Sequence, residues 1–147
     1  MNSKSEAAEK LFVEGFSCAQ SVLAPFCEKY GLDTETALKL ASPLGGGCGL
    51  AELCGAVSGG AMVVGLKYGQ YIAGDKDSGM NCREKRDRFI EEFRKCHDSV
   101  TCRGLLGFDL TTAEGEEKYI MMIKDRGSST CFKFVGDAAR ILEGLGY

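Results

Sequence analysis

The segment from about Ala51 to Lys67 constrains the fold of this chain more strongly than any other part of the sequence. It is almost uncharged, it is apolar on every side of a helix, and small residues recur at every fourth position, as in Ala51, Gly55 and Gly59. A helix that is apolar on every side is buried, and small residues at this spacing let a second helix approach closely. The pattern therefore predicts a buried central helix, with Gly55 and Gly59 as auxiliary residues of any site beside it.

The remainder of the chain has the helical spacing of apolar residues, and the alternation typical of strands is scarce. Capping boxes formed by Ser3 with Glu6 and by Ser17 with Gln20 predict the starts of the first two helices. Asp33 is predicted to cap a third helix. Further helices are predicted over about 81–97, 99–106 and 113–124, and from the break at 126–130 to about 142.

No linker, low-complexity tract or block of like charges divides the sequence, so residues 1–147 are predicted to form a single all-helical domain. The expected fold class is all-α, a compact bundle of six to eight helices around the Gly/Ala-rich central helix. Within this bundle, Tyr119, Ile120 and Ile123 are predicted to face the interior.

The charge and the N-terminal residues narrow the classes of function. With 18 Lys and Arg against 21 Asp and Glu the net charge is −3, which argues against binding to nucleic acid or to anionic membranes. The N-terminus has no apolar signal-peptide core, and no segment reaches the roughly 20 apolar residues of a transmembrane helix. We therefore expect a cytoplasmic protein without membrane insertion, in a compartment where permanent disulfides are rare.

Eight cysteines with a single histidine point to sulfur chemistry. Cys27, Cys82 and Cys96 fall on the apolar faces of predicted helices, where cysteine packs as a small hydrophobic residue. Cys48 lies in the glycine loop before the central helix, and we interpret it either as a loop residue or as an auxiliary thiol. His97 lies near a predicted helix C-terminus, where a cation is favourable, and a role beside a neighbouring cysteine is the weaker hypothesis.

The other four cysteines share a position at the start of a predicted helix. They are Cys18, Cys54, Cys102 and Cys131. Unpaired N–H groups and the positive end of the helix dipole favour an anion there, so we expect the pKa of each thiol to be lowered toward the reactive, metal-binding thiolate. The sequence contains no C-x-x-C pair, which argues against a zinc ribbon, a thioredoxin-type motif and a ferredoxin. A site built from these thiols therefore has to be assembled by the fold.

Several short stretches of the chain resemble one family. They are Phe12 with Gly15, Cys18 to Leu23, the glycines at 45–47, Cys54 to Gly59, and the single Cys102 and Cys131. This pattern, from about Phe12 to Leu142, resembles the C_GCAxxG_C_C family of redox-active proteins, although the label writes Gly-Cys-Ala where this chain has Cys54-Gly55-Ala56. The resemblance implies a redox function without an assigned reaction. It also implies four key cysteines, which correspond here to Cys18, Cys54, Cys102 and Cys131.

Three functions remain open at this point. In the first, the chain is a thiol-based redox protein, an oxidoreductase if it turns over, whose four cysteines carry out thiol–disulfide exchange or electron transfer with an unidentified redox partner. In the second, the same four cysteines bind zinc or an iron–sulfur cluster. In the third, the cysteines are structural and the bundle is a ligand-binding or interaction module. A homo-oligomer is compatible with all three.

Overall fold

The computed structural model describes residues 3–147 and consists of eight α-helices connected by short turns. The helices are α1 (Lys4–Glu14), α2 (Cys18–Cys27), α3 (Thr34–Ala41), α4 (Gly55–Tyr68), α5 (Lys76–Cys96), α6 (Cys102–Leu106), α7 (Ala113–Ile123) and α8 (Thr130–Gly144). The only extended pairing within the described residues is an isolated bridge between Leu53 and Thr101. The predicted all-α bundle is confirmed. No helix in residues 3–147 is long and apolar enough to cross a membrane.

Helix α4 is the central helix that its sequence predicts, and its packing depends on glycine. A Cβ at Gly59 would lie 2.6 Å from the carbonyl oxygen of Ala19 in α2, and a Cβ at Gly55 would lie 3.1 Å from Cβ of Cys18. On another side of α4, Gly60 makes an equally close approach to a side chain of α5. Because these positions carry no side chains, α2 and α5 pack directly on the backbone of α4.

Helix α4 begins at Gly55, so the prediction that it begins near Ala51 is wrong. The residues before it form a tight turn in which Cys48 (φ 61°) and Ala51 (φ 56°) adopt left-handed backbone together with three glycines. A left-handed backbone does not continue into a right-handed helix. The helix therefore starts only after the turn is complete, and Cys54 becomes its N-cap residue.

Two other helices begin at residues other than the predicted ones, because side chains at other positions cap them. The hydroxyl of Thr101 accepts a hydrogen bond from the first turn of α6, which starts at Cys102. The prediction that this helix begins near residue 99 is wrong, because the Ser99 hydroxyl accepts from the Thr101 N–H and does not cap the helix. Helix α5 begins earlier than predicted, at Lys76, because the side chain of Asp75 caps its first turn.

The core is formed by the faces that α1, α2, α4, α5 and α8 turn toward one another. Its largest fully buried side chains are Phe12, Phe26, Phe89, Phe93, Leu23 and Leu142. Cys27 is fully buried among them, as predicted, and Cys82 packs at the edge of the core. The prediction is wrong for Cys96, which is exposed because α5 ends there. The prediction that Ile120 faces the interior is also wrong, because this side chain is 47% exposed on α7.

Replacing Gly59 with alanine tests the close contact between α2 and α4. We expect Gly59→Ala to lower the free energy of unfolding by about 1–3 kcal/mol, because the new methyl group must push Ala19 away. The matched control is Gly65→Ala in the same helix, where nothing lies within 4 Å of the added Cβ. This control should raise the free energy of unfolding by about 0.5–1 kcal/mol. Urea unfolding followed by circular dichroism measures both values, and equal effects of the two substitutions would contradict the close contact.

Candidate functional site

The four cysteines that begin helices line one cavity, which we call the thiol cavity. It is lined by Cys18, Cys54, Cys102 and Cys131 together with Gly46, Gly47, Gly55, Leu105, Leu106, Tyr119 and Phe134. Three of the four cysteines are buried, and Cys18 is partly exposed. The cavity has a volume of about 20 Å³, which is enough to hold about one water molecule.

Two of the thiols are placed by side-chain caps at the starts of helices. Cys18 is the first residue of α2, where a backbone N–H donates to Oγ of Ser17 (3.3 Å) in the predicted capping box. Cys131 is the second residue of α8, where a backbone N–H donates to Oγ of Ser129 (3.3 Å). These caps fix the first turn of each helix. The close packing of α2 on α4 then brings Cys18 to the cavity.

The other two thiols flank the isolated bridge that joins the segments before α4 and α6. The N–H of Cys54 donates to the carbonyl of Val100 (2.8 Å), and the N–H of Cys102 donates to the carbonyl of Glu52 (2.5 Å). Side chains alternate across an extended segment, so the two cysteines point to the same face of the bridge. At the surface, Arg103 holds the Glu52 carboxylate through two hydrogen bonds of 2.9 and 3.0 Å.

The glycine loop before this bridge forms part of the cavity wall. Gly47 lines the cavity with the preceding glycine, and a Cβ on Gly47 would collide with the backbone of Glu52. Cys48 is exposed on the same loop and is not among the lining residues. Of the two auxiliary glycines, Gly55 lines the cavity, whereas Gly59 acts from outside it by admitting α2.

Cys18 and Cys131 interact most directly of the four thiols. Hydrogen bonding by the neighbouring Cys18 thiol is the largest influence on Cys131, and it lowers the pKa of Cys131 below its ordinary value. The positive charge of Arg126 lowers the pKa of Cys131 further, against the opposing effect of burial. The same hydrogen bond, with burial and the Cys131 charge, holds the pKa of Cys18 well above its ordinary value. Cys131 is therefore the thiol that ionises first.

The other two thiols keep their protons at neutral pH. Burial raises the pKa of Cys54 to about 12 and that of Cys102 to about 11, and the negative charge on Cys131 acts on both in the same direction. The expectation that a helix start lowers the pKa of all four thiols is therefore wrong for Cys18, Cys54 and Cys102. Removal from water penalises the thiolate more than a helix terminus favours it. Cys131 is consequently the one thiol of the cavity whose surroundings favour the thiolate.

Arg126 is a functional residue that the sequence pattern missed, because it lies in the break before α8. Its Nη1 donates to the carbonyl oxygens of Phe12 (3.2 Å) and Phe16 (3.0 Å) at the end of α1. Its guanidinium lies 4.9 Å from the centre of the Phe12 ring. These contacts hold a positive charge where it acts on Cys131. They come from α1, and nothing in the local sequence signals them.

Tyr119 of α7 also lines the thiol cavity. Burial raises the pKa of its phenol to about 12, with further contributions from Cys18 and Cys131. The phenol therefore keeps its proton and is a hydrogen-bond donor at the cavity. The inward position of Tyr119 was predictable from helical spacing, but its place beside the thiols was not, because tertiary packing sets the approach of α7.

His97 does not line the thiol cavity. Its Nε2 lies 2.9 Å from Oδ2 of Asp137, and its ring packs against the rings of Phe93 and Phe134. Arg140 donates to the same carboxylate at 2.6 Å. His97 therefore belongs to a polar cluster that joins the end of α5 to α8 and satisfies the buried carboxylate.

The four thiols are not arranged as the ligands of a metal centre. Among the residues that the structure describes, no three His, Cys, Asp or Glu side chains are grouped closely enough to hold a metal ion. Zinc and iron–sulfur clusters need four ligands around one point, with Zn–S distances of about 2.3 Å for zinc. The four sulfurs would therefore have to move together to bind either group.

Comparison with known proteins gives one match. Residues 16–145, which include all four helix-start cysteines, match the family described as "Putative redox-active protein (C_GCAxxG_C_C)". No curated protein and no solved structure matches the chain.

Replacing Arg126 with methionine tests the origin of the Cys131 thiolate. We expect the pKa of Cys131 to rise in Arg126→Met, because the positive charge is lost while the length of the side chain is kept. The ultraviolet absorbance of the thiolate, followed from neutral to alkaline pH in each chain and in its Cys131→Ser counterpart, measures the change. The absorbance that belongs to Cys131 should appear at a higher pH in Arg126→Met than in the wild type. Arg88→Met, at an exposed position of α5, should keep the wild-type profile, and the same profile in Arg126→Met would contradict the role of that charge.

Proposed function

The chain belongs to the C_GCAxxG_C_C family of redox-active proteins, and from this premise we propose that Cys18 and Cys131 form its redox-active pair. The observation that carries the proposal is that Cys18 and Cys131 line the same cavity and shift each other's pKa in opposite directions. A disulfide between them requires the two sulfurs to approach to about 2.05 Å. One ionises readily and the other keeps its proton, which is the division of roles that thiol–disulfide exchange requires.

Exchange with a disulfide RS–SR uses the two thiols in sequence. The Cys131 thiolate attacks one sulfur of RS–SR and displaces RS⁻. The Cys18 thiol gives its proton to RS⁻, and its sulfur then attacks Sγ of Cys131 and displaces the second RS⁻. One disulfide forms in the protein and RSH and RS⁻ leave, so two electrons pass from the pair to RS–SR. The reverse sequence restores the two thiols.

Cys54 and Cys102 are the secondary thiols of the same proposed site. Both line the thiol cavity, and the charge of Cys131 acts on both of them. Burial keeps them protonated, so they do not compete with Cys131 for the first attack. Because they share the cavity with Cys131, we propose that either can exchange with it after it has been oxidised.

Equilibration in a glutathione redox buffer tests the proposed pair. Under oxidising conditions we expect the chain to lose the mass of two hydrogen atoms and to yield a cross-linked Cys18–Cys131 peptide, because these two thiols line one cavity and differ in how readily they ionise. Cys18→Ser and Cys131→Ser should each abolish this peptide. Cys96→Ser, at an exposed cysteine of α5, should retain it. Free Cys18 and Cys131 at every ratio of oxidised to reduced glutathione would overturn the proposal.

Binding of zinc or of an iron–sulfur cluster by the same four cysteines is the second candidate function. One observation favours it, the convergence of Cys18, Cys54, Cys102 and Cys131 on one cavity, since such sites use four thiolates. It requires all four thiols to ionise, although three have a raised pKa. A bound metal drives that ionisation by displacing the protons.

The double variant Cys54→Ser/Cys102→Ser separates the two functions. We expect it to keep the Cys18–Cys131 disulfide, because neither replaced sulfur belongs to the pair. A centre that needs four thiolates would be lost in this variant. Anaerobic purification, absorption spectroscopy and metal analysis of both chains provide the measurement. Metal bound stoichiometrically by the wild type and not by the variant would favour the second function over the first.

A further inference from the structure

We propose that the oxidant of the Cys18–Cys131 pair is hydrogen peroxide, which enters the thiol cavity as a molecule little larger than water. The inference rests on the proposed function, because it names the substrate class of the same pair. It is carried by the size of the cavity, by the burial of Cys131 and by the two polar groups, Tyr119 and Arg126, that act on the thiols.

The size of the thiol cavity limits what can reach the Cys131 sulfur. Its volume of about 20 Å³ accommodates about one water molecule. Cys131 is 7% exposed, and Cys54 (5%) and Cys102 (8%) are no more accessible. A peptide disulfide must present a sulfur and its attached carbon to Cys131, so the exchange described above needs the cavity to open and is slower than a reaction that the closed cavity admits. Hydrogen peroxide has two oxygen atoms and no carbon, and it oxidises thiolates directly.

The wall around that volume is largely apolar. It includes Phe134, which is buried, and Leu105 and Leu106, which are half-buried. An apolar wall offers no hydrogen bonds to the peptide groups that surround a disulfide in a larger substrate.

Cys18 does not open a second route for larger oxidants. The residue is partly exposed, but its thiol is buried and the pKa of this thiol is raised well above its ordinary value. A buried, protonated thiol is a poor nucleophile, so a disulfide in the solvent does not meet a reactive sulfur at Cys18.

Two polar groups meet the needs of a peroxide reaction. When the thiolate attacks one oxygen, the other leaves as hydroxide and needs a hydrogen-bond donor. The hydroxyl of Tyr119 belongs to a residue that lines the cavity, and it keeps its proton. Arg126, held by the last carbonyls of α1, stabilises the Cys131 thiolate before the attack.

The reaction balances in two steps. The Cys131 thiolate attacks an oxygen of the peroxide, the O–O bond breaks, and Cys131 sulfenic acid and hydroxide form. The hydroxide takes the proton of Cys18 and becomes water. The Cys18 sulfur then attacks the Cys131 sulfur, the S–O bond breaks, and a second hydroxide leaves and is protonated by solvent. The peroxide is reduced to two waters, and the pair is oxidised to a disulfide.

The experiment compares oxidants of increasing size. The reduced full chain is mixed with hydrogen peroxide, tert-butyl hydroperoxide or oxidised glutathione, and the Cys18–Cys131 disulfide is followed by quenching and mass spectrometry. Each rate is divided by the rate for the chain unfolded in urea. We expect hydrogen peroxide to be faster than tert-butyl hydroperoxide by roughly tenfold or more, and oxidised glutathione to be the slowest. A normalised ratio near one, or oxidised glutathione as fast as hydrogen peroxide, would overturn the inference.

An enlarged cavity provides the second test. In Leu106→Ala we expect the normalised ratio of the two hydroperoxides to narrow, because the larger one gains access. Leu40→Ala, which truncates a leucine that is 54% exposed on α3, should keep the wild-type ratio. Leu105→Ala takes the place of Leu106→Ala if the latter does not fold. An unchanged ratio in the folded variant would count against size selection by the cavity.

The two proposals fail in different ways. A Cys18–Cys131 disulfide that forms at equilibrium in glutathione buffer, but without selectivity for the small peroxide, would support the redox pair and contradict hydrogen peroxide as its oxidant. Absence of this disulfide with every oxidant would contradict both proposals.

Discussion

The contact between α2 and α4 is the constraint on which the candidate site depends. The backbone of α4 at Gly59 lies against the carbonyl of Ala19, so the first turn of α2, with Cys18, lies beside the start of α4, with Cys54. Helices that pack through ordinary side chains stand about 8–10 Å apart, which would separate these two thiols. The glycines of the central helix therefore position sulfur atoms without taking part in their chemistry.

Burial and one fixed positive charge explain why four similar cysteines behave differently. Each begins a helix, but only Cys131 combines hydrogen bonding by a neighbouring thiol with the positive charge of Arg126, and its pKa is lowered. For Cys54 and Cys102 burial is the largest influence, and it favours the uncharged thiol. The site is thus organised around one sulfur, and the pKa of each of the other three thiols is raised.

The fold was predictable where the sequence signals are local. The capping box at Ser17 predicted the start of α2, because both hydrogen bonds join residues three apart. The start of α4 was not predictable, because the left-handed turn that ends at Ala51 is completed by a bridge to a segment about fifty residues away. The four cysteines could be selected from their helix starts, but their ionisation could not, since burial and the approach of Arg126 are tertiary properties. The place of Tyr119 beside the thiols was not predictable either, because it also depends on tertiary packing.

The four helix starts around the thiol cavity also influence the reduction potential of the proposed pair. Helix N-termini and Arg126 favour negative charge, and only the reduced pair carries one, since a disulfide is neutral. The hydrogen bond from Cys18 to Cys131 likewise exists only in the reduced form. Interactions that stabilise the dithiol over the disulfide raise the reduction potential. The Cys18–Cys131 disulfide would accordingly be an oxidising bond that common cellular thiols reduce, rather than a permanent crosslink.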